Sequence, residues 1–293
     1  MNTLSGYRVG KPDGGPECES FERELERYYG VPYARVFNSA TSALHAAAVA
    51  MPDDLIGVTA LSMSASAASV LHANKAILFH DIADDYSYIS PQADTVVLPH
   101  LFGHHVARPD VPRVIHDCAQ APSVRPDPAH PNDIWVYSLN QHKVITCGEG
   151  GYALTFRNDY ADTLHAVRNH GECYTTDILG WNYRMTEPEA AIARIELMQL
   201  EARLDRRRQW AYDLQKAHDL PLDGNIDWFL YPLRVEPVNR SVVASEIIGA
   251  RVGYHTPVYR LPYFAKRYPS VVCPNTERIE SELVVVNPEA YGI

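Results

Sequence analysis

The first half of the chain is a series of short apolar runs, four to six residues long, divided by helical or turn-forming stretches. Tyr33–Phe37, Leu55–Ala60, Ala76–Phe79, Thr95–Pro99, Val114–Asp117, Ile134–Ser138 and Tyr152–Phe156 each read as strands, several of them rich in β-branched residues. Between them, Glu19–Tyr29 has helical spacing. An alanine-rich stretch after N-S-A-T-S-A-L-H runs as a helix to about Met51, and Ser64–Ala73 gives a short helical pattern. Strands that alternate with helices predict a mainly parallel sheet covered on both faces. Met1–Glu17, rich in Gly, Pro and charge, reads as an extended arm.

From Thr186 the pattern changes. T-E-P-E is a capping box, with Thr186 as N-cap, Glu189 three residues on and Pro188 in the first turn. It predicts one long helix running toward Leu214, with Ala191, Ile195, Met198 and Ala202 on one face. Arg206, Arg207 and Arg208 read as a solvated face. Beyond P-L-D-G-N, short strands and one more helix, broken by turns at Pro257, Pro262, Pro269 and Pro274, suggest a small second domain. The expected architecture is α/β: a three-layer α/β/α large domain (1–205, with the N-terminal arm) around a mostly parallel seven-stranded sheet, and a small α+β C-terminal domain (206–293).

Composition narrows the function classes. Apolar residues make up 46% and charged residues 21% of the 293 positions, as in an ordinary globular enzyme. A net charge of -10 argues against a general nucleic-acid binder, which needs a broad basic surface, but leaves room for a small phosphorylated ligand. The five scattered cysteines, Cys18, Cys118, Cys147, Cys173 and Cys273, form no C-x-x-C pair, so a reducing cytoplasm is the simplest setting. No apolar run is long enough for a membrane span.

Candidate chemistry gathers at the ends of the expected strands, where open α/β sheets bind ligands. In S-L-N-Q-H-K-V-I-T-C-G-E-G-G, Lys143 follows a strand end and precedes a glycine-rich turn. Burial or a neighbouring positive charge would keep such a lysine partly neutral, hence nucleophilic; a surface lysine leading into a hairpin is the plain alternative. Ser39 and Thr41 begin the alanine-rich helix, whose N-terminus can hold a phosphate or merely be capped by them. In H-L-F-G-H-H, adjacent His104 and His105 with His100 do not make a convergent metal set, so no metal is expected. His142 would point away from Lys143 if the backbone is extended there, and a structural role is expected for it.

The ordered motifs F-E-R-E-L-E-R-Y-Y-G, N-S-A-T-S-A-L-H, V-I-H-D-C-A-Q-A, S-L-N-Q-H-K-V-I-T-C-G-E-G-G and L-G-W-N-Y-R-M-T-E-P-E-A-A resemble those of the DegT/DnrJ/EryC1/StrS sugar aminotransferases, pyridoxal 5'-phosphate enzymes of the aspartate aminotransferase fold. The resemblance is collinear over most of the chain. It implies an internal aldimine on Lys143, Asp117 facing the pyridine nitrogen, and Gln120 against the ring or its hydroxyl. It further implies a phosphate site of Thr41, Ser42 and Ser138, with Asn182 reaching the phosphate of a neighbouring subunit in a homodimer. Met63 stands where relatives place a ring-stacking aromatic residue, and its thioether can pack on a ring. Arg184, Tyr254 and His255 are the implied substrate contacts. The implied reaction moves an amino group, from glutamate as donor, to a nucleotide-linked keto sugar.

Two departures bear on that reading. Ala40 replaces a glycine common among relatives, and the chain is short in the small domain, where substrate contacts would lie. The alternatives are a related sugar dehydratase, in which a histidine replaces the lysine, and a cofactor-binding or regulatory protein without turnover.

Overall fold

A computed structural model describes residues 15–171, 177–218, 220 and 226–293. Most of the expected arm, residues 1–14, lies outside the described residues. Positions 16 and 17, also assigned to the arm, instead open helix α1 (Pro16–Tyr29). Pro16 suits a first turn that needs no amide donor. The Glu187 carboxylate, far along the chain, accepts from the backbone N–H of Glu17 at 2.9 Å and of Cys18 at 3.1 Å.

Seven strands form the main sheet: β1 (Tyr33–Phe37), β2 (Leu55–Thr59), β3 (Ala76–His80), β4 (Thr95–Pro99), β5 (Arg113–Asp117), β6 (Ile134–Ser138) and β7 (Gly151–Thr155). Their order is β1-β7-β6-β5-β4-β2-β3. β6, β5, β4, β2 and β3 pair in parallel, while β7 runs antiparallel between β1 and β6. The sheet is thus mostly parallel, as the sequence predicts. Alternation along each strand divides the core. Ile134 and Val136 of β6 join a cluster with α2 (Ala40–Ala50), α3 (Ser64–His72) and α4 (Asn158–Arg168). Trp135 and Tyr137 face the opposite layer, with Phe21 and Leu25 of α1. The result is three layers, α/β/α.

The single long helix expected after Thr186 is two helices, α5 (Glu187–Met198) and α6 (Leu200–Ala217), which meet at Gln199. The capping box itself is present. The face that carries Ile195 and Met198 is the outer one. Ala190, Ala193, Leu197, Leu200 and Leu204 are buried, whereas Ile195 is 59% and Met198 73% exposed. α5 packs against α1, and the small Ala190 and Ala193 allow the close approach that Glu187 fixes. The larger apolar side chains are therefore left on the outer face.

A second sheet of β8 (Tyr231–Arg234), β9 (Ala250–Val252) and β10 (Leu283–Val286) is antiparallel in the order β8-β10-β9. Leu283 and Val285 of β10 face the large sheet's cluster, and Val284 and Val286 face Trp210 and Leu214 of α6. α6 runs unbroken through the expected boundary at 205/206. Val258, Tyr259, Phe264 and Cys273, late in the chain, pack into the core of the large layer. No helix among the described residues is long and apolar enough to cross a membrane.

Candidate active site

The carboxyl ends of β4, β5 and β6 and the N-termini of α2 and α3 open onto one cavity of about 740 Å³. The turn that carries Lys143 closes on itself. Lys143 N–H donates to Asn140 O at 2.9 Å, Leu139 N–H to Gly150 O at 2.9 Å, and Cys147 N–H to Leu139 O at 3.1 Å. Gly148 supplies a left-handed residue at φ +93. A side chain on Gly151 would collide with the Ala40 backbone, so glycine here lets β7 lie against the start of α2. The glycine-rich run thereby sets both the lysine turn and the helix N-terminus beside it.

Lys143 Nζ lies 4.3 Å from the centre of the Phe229 ring, inside the cavity. Burial pulls its pKa down to about 8, outweighing the charge of Asp117, which raises it. Asp117, 8% exposed at the end of β5, has its pKa raised by burial. The Ser66 hydroxyl donates to its Oδ2 at 2.8 Å and Ala119 N–H to its Oδ1 at 3.2 Å; both contacts, with Lys143, favour the charged form. Among the described residues Asp117 and Lys143 form no ion pair within 4.0 Å, although both line the cavity.

The other expected residues divide into two groups. Thr41, Met63, Gln120, Ser138, Tyr254 and His255 line the same cavity. Ser42 does not, since its hydroxyl donates to Asn38 Oδ1 at 2.8 Å and its N–H to the N-cap Ser39. Asn182 and Arg184 also lie outside the protomer's own cavity: Asn182 is exposed, and Arg184 donates to Asn169 Oδ1 at 2.7 Å. Gln120 is held at both ends, accepting from Phe102 N–H at 2.6 Å and donating to Tyr254 Oη at 2.5 Å. Met63, the N-cap of α3, is 53% exposed.

Several lining residues were not expected. His142 is corrected: its backbone is a turn rather than extended, and it lines the cavity, with Nδ1 3.5 Å from Glu289. Arg207 is corrected too, because only 5% of it is exposed and it reaches the cavity instead of solvent. Phe229 and Arg251 carried no local signal, since distant segments bring them in. The position of Lys143 next to His142 in a turn, and the triple-arginine run itself, were the available clues to the first two.

The expected absence of a convergent histidine site leaves His100 to be explained. His100, at the end of β4, lines the cavity and is buried. Val106 N–H donates to His100 Nδ1, so Nε2 carries the proton and donates to His116 Nδ1 at 3.1 Å. His116 Nε2 donates in turn to Asp133 at 3.2 Å, and Arg108 Nε meets the same oxygen at 2.7 Å. Burial holds the pKa of His100 well below its ordinary value, with His116 adding to the effect. The chain of bonds braces the β4 and β5 ends on which Asp117 sits. His105 bonds Ser123 instead. Among the described residues no group of three His, Cys, Asp or Glu is placed to hold a metal.

The chain is 32% identical over 216 residues to a GDP-perosamine synthase of Caulobacter vibrioides, a match covering 64% of this chain and 58% of that protein. It is 26% identical to a UDP-N-acetyl-3-dehydro-alpha-D-glucosamine 3-aminotransferase of Acidithiobacillus ferrooxidans, covering 92% and 83% of the two chains. The chain thus spans less than two thirds of the first relative and more of the second. Its fold matches NtdA of Bacillus subtilis, solved with bound cofactor PMP, at a TM-score of 0.78, 21% identity and coverage of 95% and 75%. The profile of a single family matches residues 7–288, and the chain belongs to that family, the DegT/DnrJ/EryC1/StrS aminotransferases.

Proposed function

We propose that this chain is a pyridoxal-phosphate-dependent aminotransferase that moves an amino group from glutamate to a nucleotide-linked keto sugar. The observation that carries the reading is the pairing, in one cavity at the strand ends, of a lysine lowered to about 8 with a buried, hydrogen-bonded aspartate. A pyridoxal group, when bound, supplies an electron sink that stabilises negative charge on the substrate carbon.

The chain's own residues do the rest. Lys143 Nζ, partly neutral near pH 8, holds the cofactor and then shuttles the proton at the substrate carbon. Asp117 keeps a proton on the ring nitrogen, and that nearby cation offsets the cost of burying its charge. Gln120, fixed by Phe102 and Tyr254, orients the ring, while Met63 packs on its face. Thr41 and Ser138, at the α2 N-terminus and the β6 end, hold the phosphate, with Ser42 bracing the turn from behind. Tyr254 and His255 approach the substrate from the β9 side.

The same reading includes a homodimer. Asn182 and Arg184, outside their own cavity, would serve the site of a second copy. The exposed stripe of Ile192, Ile195 and Met198 at 48%, 59% and 73% gives that copy an apolar face to cover. The buried free cysteines Cys18, Cys118, Cys147 and Cys273 fit a reducing cytoplasm. We divide the chain into a large cofactor domain and a small C-terminal domain, with α6 shared by both. Purified protein given pyridoxal phosphate should turn yellow, and Lys143→Ala should stay colourless. A protein that takes up no cofactor would contradict the reading.

A further inference from the structure

Two bulky residues beside the cavity stand in left-handed backbone, Phe102 at φ +60 and Trp228 at φ +48. Side chains of this size rarely adopt that conformation, which persists only where the surroundings enforce it. Here the two segments enforce it on each other. Asp227 N–H donates to Gly103 O at 3.1 Å and Phe229 N–H to Phe102 O at 3.0 Å, so that 227–229 clasps 102–103. Trp228, 2% exposed, stacks on Tyr231 with ring centres 4.6 Å apart.

Each side of the clasp delivers one group to the cavity. Phe102 N–H holds Gln120 Oε1 at 2.6 Å, and Trp228 precedes Phe229, whose ring centre is 4.3 Å from Lys143 Nζ. Asp227 locks the clasp. It is 0% exposed and is not among the residues that line the cavity. Ser123 N–H donates to its Oδ2 at 2.7 Å and the Ser123 hydroxyl to its Oδ1. Arg208 Nη2 and His105 Nε2 stand 3.7 and 3.8 Å from the same Oδ1. The carboxylate thus ties the Phe229 segment to the loop that follows Gln120, as the backbone bonds tie it to 102–103.

We propose that Asp227 is a positioning residue of the amino-transfer site: by closing the clasp it sets the Phe229 ring against the Lys143 amine and so fixes the proton affinity of that amine. Its part in amino transfer rests on the aminotransferase reading. The physical link is the ring face, whose partial negative charge favours an ammonium over a neutral amine. Two further groups share charge effects with the lysine, Asp117, which favours its charged form, and His255, whose charged form it disfavours.

The test reads Lys143 in the full-length protein before cofactor is added. Trinitrobenzenesulfonate, which arylates neutral amines, is reacted across a pH series, and the Lys143 peptide is followed by mass. Phe229→Leu should lower the midpoint by up to about 1.5 units, and Phe229→Tyr should keep it near the parent value. Asp227→Asn should lower it too. Added to Phe229→Leu it should lower it no further, because both act through one ring. Ser123→Ala leaves the carboxylate in place but removes the hydroxyl that meets it; it should shift the midpoint the same way, and it carries the test if Asp227→Asn does not fold. A midpoint unmoved in these variants, with only a lower melting temperature, would overturn the proposal. So would shifts of Asp227→Asn and Phe229→Leu that add, since the carboxylate would then act by its charge alone. The readout needs no cofactor: a protein that takes up none ends the aminotransferase reading, whereas uptake with an unmoved midpoint ends only this proposal.

Discussion

The cavity has two walls of different construction. One is made by the ends of β4, β5 and β6, where Asp117, Ser138 and the Lys143 turn are fixed by sheet pairing and by short bonds such as Ser66 to Asp117 at 2.8 Å. The other comes from α6, the 228–230 segment and the β9 region, which bring Arg207, Phe229, Arg251 and Tyr254. The strand-end wall is built locally and holds the buried aspartate and the lysine whose pKa burial lowers. The opposite wall is assembled from distant segments and holds cations, an aromatic ring and a phenol. Rigid sheet ends suit chemistry that must not drift. The far wall can differ in composition without displacing the lysine turn.

The sharpest way to break this contrast is at the first wall. Lys143→Ala should abolish cofactor colour and cut amino transfer by about four orders of magnitude or more, read by absorbance and by turnover. Asp117→Asn should cost about a hundredfold in kcat, measured at saturating substrate. It should also shift a pH profile. Lys143 has its folded pKa lowered to about 8, so the amine gains its neutral form as pH rises through 8. The rate of cofactor capture should climb with pH below that point and level off above it. Because Asp117 raises the lysine's pKa, Asp117→Asn should move the midpoint to lower pH.

Changes to the second wall should be milder. Phe229→Leu removes the ring that faces Nζ at 4.3 Å, a contact worth about 0.5–2 kcal/mol to the ammonium. The capture midpoint should fall by about 1.5 units or less, with the colour retained. Outside both walls, Thr186→Ala removes the capping box of α5. It should lower stability by about 1 kcal/mol in a denaturant melt while leaving cofactor uptake unchanged.

The same contrast explains what could be read from the chain. Strands such as Tyr33–Phe37 and Ile134–Ser138 appear with the expected bounds, because five residues of apolar pattern suffice to define a buried strand. The Thr186 capping box is likewise a local signal. The face of α5 was not legible, since it depends on Glu187 capping α1 from 170 residues away. Arg207 looked like one of three solvated arginines, and only the 228–229 carbonyls, supplied by folding, show that it is buried. His142 was misplaced for a similar reason: whether Asn140–Lys143 extends or turns is set by the Leu139–Gly150 closure. Elements set by short local patterns were thus readable, and side-chain placements fixed by long-range packing were not.

The central claim is that Lys143 and Asp117 form the centre of an amino-transfer site. It is tested most directly by adding glutamate to the yellow, cofactor-loaded protein and following the visible absorbance together with 2-oxoglutarate. The expected result is loss of the yellow colour with one 2-oxoglutarate per site, and no such response in Lys143→Ala. A yellow protein whose colour glutamate leaves unchanged, with no 2-oxoglutarate formed, would contradict the claim.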